Sequence, residues 1–89
     1  MKHTAATEFW AAYDALTPDV RARARKQFAL LKANPHHPSL QFKSLGERRG
    51  QEIWAARVTL NYRALAIKRP HGYLWFWIGP HKEYESLIG

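Results

Sequence analysis

From Leu40 onward the apolar positions follow the two-residue period of β-strands in four short runs, LQFKSL, EIWAARV, YRALAIK and YLWFWI. GERRGQ, TLN and RPHG separate them, and connections this short join antiparallel neighbours, because parallel strands need long crossovers. Before Leu40 the period is helical. Phe9, Tyr13 and Leu16, with Trp10 beside them, mark a short helix with one apolar face. Thr17-Pro18-Asp19 supplies an N-cap, a proline at the first helical position and an acid in the first turn, which predicts a second helix from Pro18 to about Ala33. Its expected apolar stripe is Val20, Ala24, Phe28 and Leu31, and Asn34-Pro35 ends it. A brief strand at Lys2 to Thr4 is expected ahead of the helices.

The pattern predicts an α+β fold: an N-terminal helical hairpin packed on one face of a curved, mainly antiparallel β-sheet of four to five strands, with a short C-terminal helical turn. No repeat, linker or low-complexity tract divides the chain, so residues 1–89 read as a single domain. In WFWI, Trp75 and Trp77 are expected on one face and Leu74, Phe76 and Ile78 on the other, making this the central strand, covered on both sides. The two indoles then serve as core packing or as a platform on which bases stack.

Composition narrows the function. A chain of 89 residues buries only about 60 to 65% of its unfolded surface, so it needs a dense core, and 46% of its residues are hydrophobic. With no cysteine there is neither a disulfide framework nor a thiolate zinc site. His36 and His37 are adjacent and their rings diverge, and no carboxylates stand at ligand spacing around a histidine, so no metal is expected. No glycine-rich phosphate loop and no G-x-S-x-G elbow occur, and no cofactor is expected. The N-terminus lacks the apolar run of a signal peptide, and no window approaches a membrane span. A soluble, cytoplasmic protein is expected. The formal charge of +7 and pI near 10.2 point to nucleic acid or an acidic protein as partner.

Cations, histidine and tyrosine suffice for RNA cleavage without a metal, because the attacking 2′-hydroxyl is already in the substrate. The enzyme must move two protons and offset charge on phosphate. His81 is the best proton mover, and the Gly79-Pro80 step starts a short helix that sets Tyr84 on nearly the same face. The plainer alternative is a surface histidine beside a tyrosine that packs the C-terminus. Arg57 and Arg63 lie in apolar strands, with the parity of Ile53 and Ala55 and of Leu65 and Ile67. Such charges are matched by an anion or left at an exposed face; a substrate phosphate is the favoured reading for both, and Glu52 could pair with one of them. Lys43, in an edge strand, and Arg48 and Arg49, in GERRG, are RNA-contact candidates or simply solvated charges. His36, His37 and Pro38 read as turn construction.

The order of these motifs, a helix pair, NPHHPSLQFKSL, a strand with Arg57, NYRALAI and WFWIGPHKEYESLI, resembles the RelE/ParE superfamily of type II toxin-antitoxin toxins, most of all its RelE-like branch. The firmest points are Tyr62-Arg63 and the terminal G-x-H-x-x-Y at Gly79, His81 and Tyr84. The resemblance implies a microbial-RNase-like fold. It also implies an endoribonuclease that cuts mRNA in the ribosomal A site, through a 2′,3′-cyclic phosphate and without a metal or other cofactor. A cognate antitoxin would cover the basic surface. By position, Arg57 and Arg63 would hold the scissile phosphate, His81 and Tyr84 would transfer protons or orient substrate, and Lys43 falls near a further basic residue of the relatives. The ParE branch shares the fold and acts on DNA gyrase instead. A non-catalytic basic RNA-binding domain is the third reading.

Overall fold

The computed structural model describes residues 2–88. A short strand β1 (Lys2–Ala5) leads into helices α1 (Thr7–Asp14) and α2 (Pro18–Ala33). A single 3₁₀ turn at Pro38–Leu40 then opens the meander β2 (Lys43–Arg48), β3 (Gln51–Thr59), β4 (Tyr62–Arg69) and β5 (Gly72–Pro80), and helix α3 (His81–Ile88) follows. The sheet order is β1-β5-β4-β3-β2, antiparallel except for the parallel β1–β5 pair. The predicted α+β architecture and strand count therefore hold.

The two sheet faces carry separate cores. The helix-covered face gathers Leu16, Leu31, Leu40, Ala56, Val58, Ala64, Ala66, Tyr73, Trp75 and Ile78. The opposite face holds a smaller cluster, Ile53, Ala55, Leu65 and Tyr84, with Phe76 and Trp77 packed against it. Apolar residues on both faces of the inner strands follow from this double coverage.

Several local expectations are corrected. Trp75 and Trp77 do not share a face: pairing runs Leu65↔Trp77 and then Ala66↔Trp75, so Phe76 is an extra residue, and this β-bulge reverses the alternation. The strand is interior but not central, since β4 occupies the middle. Leu40 and Gln41 are not in a strand; Leu40 ends the 3₁₀ turn, and Gln41 takes a left-handed conformation with φ 42°. GERRGQ is mostly strand, with its turn confined to Arg49 (φ 53°) and Gly50 (φ 78°). Two successive positive φ values make the two-residue hairpin loop whose twist suits β-strands. Thr17 precedes α2 with extended backbone, but its hydroxyl makes no cap bond. Phe28 is 40% exposed at the rim of α2, and Gln27 takes the inward position between Ala24 and Leu31.

Three devices hold the periphery. His37 Nδ1 accepts from the Ser39 amide at 3.2 Å, so this histidine does build the turn before the sheet. Gly72 lies so close to β1 that an added Cβ would fall 1.8 Å from the Lys2 carbonyl oxygen. His3 on β1 stacks on Tyr73 at 5.6 Å and takes the Trp75 indole N–H at 3.0 Å, tying the edge strand to the core. Burial and nearby positive charge, Lys32 included, hold the His3 pKa below its ordinary value.

Candidate functional site

Arg57 and Arg63 stand directly opposite each other across β3 and β4, and in an antiparallel pair that puts both side chains on one face. It is the face away from α1 and α2, shared with Ile53, Ala55 and Leu65 as their parity requires. Strand β5 ends where Tyr62 pairs with Pro80 and Arg63 with Gly79, and α3 begins at once with His81. Tyr84, one turn on, is 8% exposed and packs into the smaller core. Its ring centre lies 5.3 Å from that of His81.

These four residues, with Gln41, Lys43, Ala55 and Ala56, line one cavity of about 250 Å³. A larger cavity of about 330 Å³ lies between the helices and the sheet, lined mainly by Phe9, Trp10, Phe28 and other apolar groups. Polar chemistry belongs to the smaller one, where the convergent cations and titratable groups are. Arg48 and Arg49 are elsewhere: the hairpin tip beside Gln51 is six residues along β3 from Arg57, about 20 Å at strand rise. Among the described residues no group of three or more His, Cys, Asp or Glu is placed to hold a metal ion.

The two arginines are held in different ways. Arg63 Nη1 donates to three carbonyls of the β3–β4 turn, those of Thr59 (2.8 Å), Leu60 (3.2 Å) and Tyr62 (3.0 Å). Its pKa is drawn down from the ordinary arginine value by burial first, then by the Arg57 guanidinium, with Tyr84 opposing. Arg57 Nε, by contrast, is buried with no hydrogen-bond partner among the described residues. Glu52 is not its counter-ion; that carboxylate accepts from the Trp54 indole N–H instead. Two neighbouring guanidiniums, one with an unsatisfied buried donor, form a place where an anion lowers the energy.

The remaining contacts orient His81. Its backbone N–H donates to the Asn61 carbonyl at 2.7 Å, which joins the start of α3 to the same β3–β4 turn. Its Nδ1 lies 3.1 Å from Glu85 Oε1. A carboxylate there accepts from Nδ1–H and directs the other ring nitrogen away from itself. The Asn61 carbonyl and Glu85 were not singled out from the sequence. Glu85, four residues after His81 in a helix, carried the signal for its contact.

The family model of the ParE-like toxin domain matches residues 18–86. No curated protein sequence matches this one. Among solved structures, RelE of the RelB–RelE antitoxin–toxin complex from Methanococcus jannaschii superposes with a TM-score of 0.71 at 11% identity, covering 97% of this chain and 99% of that one. The archaeal RelE–RelB complex from Pyrococcus horikoshii OT3 gives 0.68 at 13% identity, over 89% and 92% of the two chains. A copper-bound mutant toxin from Helicobacter pylori gives 0.64 at 15% identity, over 93% and 97%.

Proposed function

The chain belongs to the ParE-like toxin domain family of the RelE/ParE superfamily, and from that premise we propose that it is a ribosome-dependent endoribonuclease that cuts mRNA in the cytoplasm. The observation that carries this reading is the convergence of Arg57, Arg63, His81, Tyr84 and Lys43 on one small polar cavity. In the proposed reaction the substrate 2′-hydroxyl gives up its proton to solvent as its oxygen bonds to phosphorus, the bond from phosphorus to the 5′-oxygen breaks with uptake of a proton by that oxygen, and a 2′,3′-cyclic phosphate and a 5′-hydroxyl result. Arg57 and Arg63 offset the charge that grows on the phosphate oxygens. His81, oriented by its Nδ1 contact with Glu85, moves a proton to the leaving oxygen, with Tyr84 orienting it. Lys43 at the rim meets a flanking phosphate, while Arg48 and Arg49, remote from the cavity, contact RNA or ribosome without touching the scissile bond.

The partner that silences this surface is a cognate antitoxin. The M. jannaschii and P. horikoshii structures are RelB complexes, and a basic surface of formal charge +7 suits an acidic, folding-on-binding tail.

The test is expression of the wild type, His81→Ala and Arg63→Ala in a bacterium, with mapping of mRNA 5′ ends. New in-frame ends that vanish in both variants are expected. Equal toxicity with no new ends would sink the reading. The match to the ParE-like model favours a second one, a toxin that binds DNA gyrase. Purified protein incubated with gyrase and supercoiled plasmid separates the two: inhibition or trapped cleavage supports gyrase, indifference supports the nuclease.

A further inference from the structure

Gln27 is the one buried side chain among the described residues that is neither apolar nor aromatic, at 8% exposure. It sits in the inward stripe of α2, where an amide is unfavourable unless bonded. Its Nε2 donates to the Arg57 carbonyl at 3.0 Å and, more weakly, to the Ser39 carbonyl at 3.5 Å. The position it reaches lies where strand pairing along β3 thins out. Pairing with β2 stops at Lys43↔Ala55, so past Ala55 that edge has no neighbouring strand. On the other edge the β4 register shifts between Arg57 and Thr59, a bulge beside Arg57. The glutamine amide thus replaces the missing strand at one residue.

That residue is also the arginine whose Nε is buried without a partner. Arg63 is fixed by its guanidinium on three carbonyls. Arg57 has no such bond at Nε, so the direction of its side chain depends on its main chain. We propose that Gln27 is a positioning residue: it holds the Arg57 main chain from the helix layer and so aims the guanidinium into the cavity on the other face of the sheet. The proposal rests on the reading of Arg57 as a ligand of the scissile phosphate and names what makes that ligand competent.

Inorganic sulfate, whose charge is constant from pH 5 to 8, serves as the probe. Its binding to the full chain is followed at the Arg57 and Arg63 Nε–Hε NMR signals in wild type, Gln27→Met and Gln27→Glu. Gln27→Met is expected to weaken sulfate binding at Arg57 by about tenfold or more while the Arg63 signal keeps its position in the free protein. In Gln27→Glu the carboxyl donates to the Arg57 carbonyl only when protonated. Affinity relative to wild type is therefore expected to recover as pH falls, a profile that Gln27→Met lacks.

In single-turnover cleavage of ribosome-bound mRNA, Gln27→Met is expected to lose on the order of 10- to 100-fold in rate with ribosome affinity unchanged. It should lose nothing further in an Arg57→Ala background. Sulfate affinity within twofold of wild type in folded Gln27→Met, or an equal loss of rate with and without Arg57, overturns the positioning role. A wild type in which sulfate leaves the Arg57 signal unmoved overturns it too. A wild type that binds sulfate at Arg57 but cuts no RNA defeats only the nuclease reading, and the sulfate titrations alone then decide the role of Gln27.

Discussion

Replacing Arg57 by methionine should stabilise the protein while abolishing the proposed RNA cleavage. The side chain is partly buried and its Nε has no hydrogen-bond partner among the described residues, and a buried donor left unpaired costs about 1–3 kcal/mol. Repulsion adds to that cost, because Arg57 already lowers the pKa of the arginine opposite it. Methionine follows the course of the arginine stem without the donor or the charge. The expected gain is about 1–3 kcal/mol, which for a domain of this size is a rise in Tm of about 5 to 20 °C. The assay is thermal unfolding by circular dichroism at low and moderate salt, because screening weakens the repulsion and should narrow the gap between the proteins. Adding phosphate sharpens the test. At about 100 times its dissociation constant it stabilises a specific binder by about 2.7 kcal/mol; it should raise the wild-type Tm and leave Arg57→Met nearly unchanged. A variant less stable than wild type would mean that the guanidinium is structurally satisfied. Equal phosphate effects would mean that the anion site lies elsewhere. Either result refutes the reasoning.

Three other expectations follow from the same structure. Glu85→Gln should lower cleavage several-fold through His81 yet change stability by less than about 0.5 kcal/mol, because the pair is 39% and 65% exposed and such contacts contribute little to folding; unfolding and activity assays together check this. Because burial lowers the His3 pKa, the unfolded chain takes up this proton first as pH falls below 6.5. Stability is full above that value and declines down to the lower folded pKa, so urea midpoints of wild type should fall between pH 7 and 5 more steeply than those of His3→Phe. Gly72→Ala should detach β1, since the new Cβ meets backbone rather than a movable side chain. Fast hydrogen exchange at Lys2 and Ala6, whose amides donate to the His71 and Trp75 carbonyls, should report it, alongside a lowered Tm.

The sequence disclosed most where one face alternates strictly. The parity of Arg57 with Ile53 and Ala55, and of Arg63 with Leu65 and Ile67, grouped each guanidinium with its face-mates, and only the structure shows that this face is the one away from the helices. The proline start put α2 at its observed boundaries. What stayed hidden was whatever breaks a period. The bulge at Phe76 reverses Trp77 against Trp75, and no residue type announces it. The left-handed Gln41 delays β2 by three residues, and a glutamine is an unusual choice there. Gln27 was visible in principle, since Val20, Ala24, Gln27 and Leu31 form one helical stripe, but Phe28 offered a more apolar alternative at the neighbouring position. The partners of Arg63 and of the His81 amide are main-chain oxygens, and every residue has one of those.

Main-chain partners let such a geometry persist through divergence. The four carbonyls from Thr59 to Tyr62, three on Arg63 and one on His81, belong to the turn's shape and not to its letters. Drift can rewrite the side chains there and leave the clamp intact, which accords with a shared fold at 11–15% identity. A one-residue insertion between Leu60 and Asn61 would instead re-aim both groups in a single event. Inactive descendants of such a domain should therefore be sought by the length of this turn, since a census of their arginines and histidines would score them as intact.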